Sequence, residues 1–195
     1  MSIVAIAGSP RENSQSRRLL DHAVHELSDW GFAVRLISVR DLPATDLLHA
    51  RFDSPPLQEA ITLVQQAAGV MIATPVYQAA YSGILKAFLD LLPRRALNGK
   101  VVLPIATGGS AAHRLALDYS LRPVLAALGT PHVLGGLYVF DSQMGGSSAH
   151  GLWLDPDSRC RLREELQQLL HHLDRLTPAP TRSPSPAEIE HGVAS

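Results

Sequence analysis

Ile3-Val4-Ala5-Ile6-Ala7-Gly8-Ser9-Pro10-Arg11-Glu12-Asn13-Ser14-Gln15-Ser16 starts as an apolar run and turns into a hydroxyl-rich stretch. Ile3 to Ile6 lack the alternation of a half-exposed strand, so they predict a strand of a parallel sheet covered on both faces. From Ser16 the period changes. Leu19, Leu20, Ala23, Val24 and Leu27 fall on one helical stripe, with Gly31 as its C-terminal stop. Between strand and helix lie Ser9, Ser14, Gln15 and Ser16, with Arg11 beside them. A helix start leaves several N–H groups unpaired at the positive end of its dipole, and an anion satisfies them. Any one of these serines can equally be an ordinary N-cap. The combination of strand, Gly-Ser-Pro-Arg turn and two further serines points instead to a phosphate cradle. The glycines of G-x-G-x-x-G and the lysine of G-x-x-x-x-G-K-[ST] are absent, so the stretch suits one terminal phosphate of a mononucleotide.

The 195 residues are 46% hydrophobic, which is one domain with material for a core. A formal net charge of −1 argues against nucleic acid and against a polybasic membrane contact. No apolar run approaches the roughly 20 residues of a membrane span, and no basic n-region precedes the first strand. The single cysteine, Cys160, excludes an internal disulfide and a cysteine-based metal cluster. A soluble cytoplasmic protein is the expectation.

Further along, Phe32 to Ser38 reads as a second strand. The connection Val39 to Ser54 is long for an α/β unit, hence functional or a partner contact. Ser54 or Asp53 caps a helix that begins at Pro55-Pro56 and is striped by Leu57, Ala60, Ile61 and Val64. Gly69 to Ala73 is the third strand, followed by a loop from Thr74 to Gly83. Ser82 caps the next helix, and Pro93 ends it. Lys100 to Ala106 is the fourth strand, followed by Thr107-Gly108-Gly109-Ser110 and a helix through Leu128. His132 to Phe140 is the fifth strand. A last helix starts at Asp155 or Asp157 and is striped by Leu162, Leu166, Leu169, Leu170 and Leu173. This makes residues 1–176 one domain and Thr177 to Ser195 a Pro-rich, disordered tail. Five strands alternating with helices give an open, doubly wound parallel sheet with helices on both faces.

In such sheets ligands bind outside the carboxyl ends of the strands. The three chemically distinctive loops, after the first, third and fourth strands, all fall there. Pro75, Val76, Tyr77 and Tyr81 offer backbone N–H groups and aromatic faces to a flat ring. Gly108 and Gly109 let backbone approach closely, between Thr107 and Ser110. Phosphate anchorage, aromatic walls and N–H donors are what a flavin such as FMN requires. No side-chain acid or base is obligatory, because the cofactor carries the hydride chemistry. Each signal also has a plainer reading: the tyrosines as packing residues, the glycines as turn formers. His113 reads as a solvent-facing first-turn residue, Cys160 as a packing or surface residue, and His171-His172 as no metal site.

The stretches AGSPRENSQS, DLLHARFDSP, ATPVYQAAYSGILKAFLDLLP, GKVVLPIATGGSAAH and LALDYSLRPVLAALG, ending near Asp141-Ser142-Gln143, resemble flavodoxin-like NADPH-dependent FMN reductases. They are most similar to reductase components of two-component alkanesulfonate monooxygenase systems. The resemblance covers about the first 143 residues. It implies that Ser9, Arg11, Ser14, Gln15 and Ser16 hold the FMN phosphate. It further implies that Pro75, Val76, Tyr77 and Tyr81 border the ring, with Thr107, Gly108, Gly109 and Ser110 along its other edge. NADPH would reduce FMN, which passes to a flavin-dependent alkanesulfonate monooxygenase; a homotetramer is implied as well. Gln78 stands where relatives of this kind carry a basic residue. Two alternatives are an FMN-retaining quinone or azo reductase and a flavodoxin-type electron carrier, the latter disfavoured by the near-neutral charge.

One conflict bears on the subfamily. Pro123 lacks an N–H and leaves the Tyr119 carbonyl unpaired, yet the stripe Leu117, Leu121, Val124 or Leu125, and Leu128 runs across it. A π-bulge around Tyr119 reconciles the two, and a plain proline kink with Tyr119 packed is the alternative. The resemblance gives an inserted tyrosine here a role in flavin release at a subunit interface.

Overall fold

A computed structural model describes residues 2–146 and 151–176. The expected tail, 177–195, and part of the Gly/Ser-rich segment lie outside the described residues. β1 (Ile3–Ala7) is buried along its whole length. It leads into α1 (Gln15–Asp29), whose buried face includes Leu19, Leu20, Ala23 and Leu27. After Gly31, at φ +87°, β2 (Val34–Ser38) forms the sheet edge. This strand starts later than Phe32, because the Phe32 N–H still closes the end of α1 on the Leu27 carbonyl. The long connection holds a 3-10 turn at Val39–Asp41 and the short α2 (Ala44–Leu48). α3 (Pro55–Gln66) follows; its N-cap residue is Ser54, whose hydroxyl donates to Asp46 at 2.6 Å rather than capping the helix.

β3 (Gly69–Tyr77) runs four residues past the expected end at Ala73. Pro75 does not break it, since it continues the parallel register opposite Thr107. The chain then doubles back through Gln78 and Ala79 into β4 (Ala80–Tyr81), antiparallel to β3. The expected Thr74–Gly83 loop is therefore a tight hairpin. α4 (Gly83–Leu91) is capped by Ser82, whose Oγ accepts from the Leu85 N–H at 3.3 Å.

β5 (Val101–Gly108) lies on the far side of β3. A helical stretch ends in α5 (Arg122–Ala127). The single fifth strand expected at His132–Phe140 is two pieces, β6 (His132–Val133) and β7 (Leu137–Phe140), both parallel to β5. The physical reason is Pro104, in mid-β5, which has no N–H to offer the neighbouring strand. The chain passes it at Gly136 (φ +83°), where a Cβ would stand 2.9 Å from the Pro104 ring. Arg122 takes up the carbonyls freed by this break, donating to Val133 and Leu134 at 2.9 Å each. β8 (Met144–Gly145) and β9 (Trp153–Leu154) form a small antiparallel pair, and α6 (Pro156–Leu176) closes the described chain. Asp155 caps α6, its Oδ1 accepting from the Ser158 N–H at 3.2 Å.

The main sheet runs β2-β1-β3-β5, with β6 and β7 on its last edge. Strand residues alternate between two cores. Val4, Ile6, Val70 and Ile72 face α3 and α4, whereas Ile3, Ala5, Met71 and Leu103 face α1 and α6. This is a flavodoxin-like α/β fold, and it sends the ends of β1, β3 and β5 to one edge.

Candidate active site

The β1 end is held by the backbone. Gly8 N–H donates to the Ala73 carbonyl at 2.8 Å, and the Ser82 hydroxyl donates to the Gly8 carbonyl. A Cβ on Gly8 would meet Leu85 Cβ at 2.9 Å and the Ala73 carbonyl at 3.1 Å, so this position has no room for a side chain. The loop beyond folds on itself. Ser9 Oγ accepts from the Arg11 N–H at 3.1 Å, and Ser14 Oγ caps α1 by accepting from the Arg17 N–H at 3.1 Å. Ser16 is buried beneath, its hydroxyl 3.3 Å from that of Ser14. The first turn of α1 carries no acidic residue to compete with an anion. Arg17 is committed to Asp21, while Arg11 is exposed and makes no ion pair among the described residues.

A cleft of about 340 Å³ joins this loop to the other two. Arg11, Asn13, Ser14 and Gln15 form one wall, Pro75, Val76 and Tyr77 a second, and Thr107, Gly108 and Gly109 a third. His113 and Asp141 complete it. Ser9 lines an adjoining polar cavity of about 330 Å³ with Arg11 and Asn13. Tyr81 sits in the β4 hairpin, half-buried against the α3/α4 core, and burial pushes its phenol pKa up. Ser110 contributes its carbonyl, which accepts from the Tyr138 hydroxyl at 2.9 Å.

The two glycines differ. A Cβ at Gly108 would stand 2.6 Å from the Tyr138 hydroxyl, so protein packing already requires glycine there. At Gly109 the nearest atom is Asp141 Oδ2 at 3.7 Å, which leaves room on the cleft side. His113 is not the solvent-facing helical residue expected. Ala111–Arg114 forms a 3-10 turn, closed by His113 N–H on the Ser110 carbonyl, and the imidazole is half-buried on the cleft wall. Asn13 lay in the quoted cradle stretch and Asp141 at the end of the resembling stretch, but the sequence reading gave neither a site role, and Tyr138 was read only as part of a strand. The glycine doublet was the one signal that something bulky packs nearby.

Backbone departures follow the second and third walls in the chain. Gln78 and Ala79 adopt φ of 47° and 62° in a two-residue hairpin turn that ordinarily takes Asn or Gly. Leu117–Leu121 is a π-helical turn running into α5. The extra residue keeps Leu117, Leu121 and Leu125 buried across Pro123 and turns Tyr119 outward, 79% exposed. A kinked helix with Tyr119 packed inside is thereby excluded.

A larger groove, about 630 Å³, runs along α6 beside Trp153, Arg159, Cys160 and Arg163. Its chemistry is spent internally. Arg163 is bidentate to Glu26 at 2.9 and 3.0 Å, and the neighbouring Glu164 carboxylate raises the Cys160 thiol pKa. In the smaller cleft two polar atoms, Gln15 Oε1 and His113 Nδ1, are buried without a partner among the described residues. Buried polar atoms of this kind ordinarily find one; Gln15 Oε1 is open to a ligand donor, while His113 Nδ1 lies against Gly108 at the end of β5. Loop amides and Arg11 for a phosphate, an adjoining cleft for a ring and the orphaned Gln15 amide oxygen fit FMN.

Comparison with known proteins points the same way. Residues 1–145 match the family model for NADPH-dependent FMN reductases. An FMN reductase (NADPH) of Pseudomonas putida KT2440 is 47% identical over 187 residues, spanning 95% of this chain and 91% of the relative. One from Escherichia coli K12 is 46% identical, spanning 91% and 94%. Among solved structures, an apo NADH:FMN oxidoreductase superposes with a TM-score of 0.79 at 41% identity, covering 96% of this chain and 98% of its own.

Proposed function

Because the chain belongs to the NADPH-dependent FMN reductase family, we propose that it binds FMN with the phosphate in the Ser9–Ser16 loop and the ring in the adjoining cleft. NADPH-dependent reduction of FMN is the family activity. The observation that carries the placement is the cleft joining all three loops at one sheet edge. When bound, FMN accepts the two electrons that NADPH delivers as a hydride. The chain's part is positional. The Ser14–Ser16 amides and Arg11 hold the dianion. Pro75 to Tyr77 and Thr107 to Gly109 fix the ring plane between them, and ordering two reactants face to face removes much of the entropic barrier.

In this reading FMN is a released substrate and its reduced form passes to a flavin-dependent alkanesulfonate monooxygenase. The support is the resemblance of the quoted stretches and the outward Tyr119 on the π-turn, with exposed Leu115 just before that turn, features suited to contact with another chain. We assign that face to a homotetramer of cytoplasmic location whose domain extends through α6. Among the described residues no helix is long and apolar enough to cross a membrane. Steady-state kinetics test release: NADPH oxidation should saturate in free FMN, and protein freed of flavin by gel filtration should be colourless. Protein that stays yellow and needs an added quinone would favour the FMN-retaining quinone or azo reductase. Tyr119→Ala should purify with FMN bound and turn over slowly; colourless protein with unchanged turnover removes the release role from this residue.

A further inference from the structure

Among the described residues, His113 is the one titratable side chain on the cleft wall with a buried polar atom and no partner. Its backbone is fixed, the N–H donating to the Ser110 carbonyl at 3.1 Å. Its ring lies against the end of β5, where a Cβ on Gly108 would stand 3.3 Å from Nδ1. The Tyr138 hydroxyl nearby is already committed to the Ser110 carbonyl at 2.9 Å. A proton on Nδ1 would be a buried donor with no acceptor among the described residues. With Nδ1 bare, the imidazole carries its N–H on Nε2. Nε2 is then the donor that His113 can turn toward a ligand in the cleft it lines.

We propose that His113 donates from Nε2–H to the pyrimidine edge of bound FMN and thereby binds reduced flavin more tightly than oxidised flavin. The inference rests on the placement of the ring in this cleft. Two-electron reduction puts negative charge on the N1–C2=O region of an isoalloxazine, and a donor held ready where charge develops stabilises it without reorganisation. His113 keeps its proton throughout, and both electrons come from NADPH. Arg11 and Asp141 are the charged groups lining the cleft beside His113. The Asp141 carboxylate opposes an anionic ring, and a hydrogen-bond donor held beside it offsets that repulsion.

The test is anaerobic titration of the full-length apoprotein with oxidised FMN and with dithionite-reduced FMN. Wild type, His113→Leu, His113→Gln and Gly109→Val are compared, with thermal melts to check folding. His113→Leu should weaken reduced FMN about tenfold more than oxidised FMN, close to 1.4 kcal/mol of preference. His113→Gln, whose amide N–H reaches where Nε2 stands, should restore most of the difference. A purely packing role would weaken both redox forms alike. Equal losses in His113→Leu, or failure of His113→Gln to restore the preference, overturns the assignment. Gly109→Val fills the cleft where a Cβ has room and should abolish binding of both forms. Should Gly109→Val bind FMN normally, the ring lies elsewhere and the placement falls together with the inference.

Discussion

The two sides of the cleft are built by opposite means. Gly8 to Ser16 uses ordinary conformations: a glycine where no side chain fits, serines that close the loop on itself, and a capped helix. Across the cleft, Gln78 and Ala79 hold positive φ and the chain after β5 passes through a 3-10 turn and a π-turn. A non-glycine residue in the left-handed region costs about 1–2 kcal/mol, and such strain persists only where surroundings enforce it. The comparison separates a rigid anchor from a stressed wall. An anchor should set affinity, whereas a stressed wall is where exchange of the bound flavin and contact with other chains can be adjusted.

The largest expected effect tests the anchor's packing. Gly8→Val drives a side chain into Leu85 and the Ala73 carbonyl and should cost about 3 kcal/mol, read by urea unfolding, with FMN binding lost. A variant of wild-type stability would mean that the loop is looser than its contacts indicate. Next, Arg11→Ala removes a charge-assisted contact worth about 2 kcal/mol and should weaken FMN about 30-fold while leaving riboflavin binding unchanged. Equal weakening of both ligands would remove Arg11 from the phosphate.

On the stressed wall the sign reverses. Ala79→Gly relieves a φ of 62° and should stabilise the fold by about 1 kcal/mol in thermal or urea melts. Destabilisation would show the hairpin to be unstrained and erase the contrast. The smallest effect lies away from both walls. His22 has its pKa lowered, first by burial, with Arg159, His25 and Arg163 adding to this and Glu26 opposing it. The unfolded chain therefore takes up a proton before the folded one. Stability should be complete above the usual histidine pKa and fall as pH drops from about 6.5 toward the lower folded value. His22→Gln should flatten that slope by a few tenths of a kcal/mol. An unchanged slope assigns it to other groups.

The contrast between walls is also a contrast in what sequence can carry. The anchor follows local rules, so a buried strand, a serine-rich turn and a striped helix were readable from residues 3–27. The π-turn was readable too, because Pro123 and an unbroken apolar stripe cannot both be satisfied by a regular helix. Other features depend on neighbours distant in the chain. The fifth strand splits because Pro104 sits on the adjacent strand, and β3 outruns its apolar core because Thr107 pairs with Pro75. His113 was misplaced since one 3-10 turn in place of an α-turn redirects its ring to Gly108. Gly108 looked like a ligand-facing glycine, yet the hydroxyl of Tyr138, thirty positions on, claims its space.

The central claim is that the loop after β1 reads a phosphate, and titration of the apoprotein with FMN and riboflavin tests it most directly. The two ligands share the ring and ribityl chain and differ only in the dianion. FMN should bind at least about 100-fold more tightly, some 2.7 kcal/mol. Equal affinity for the two would contradict the account at its root.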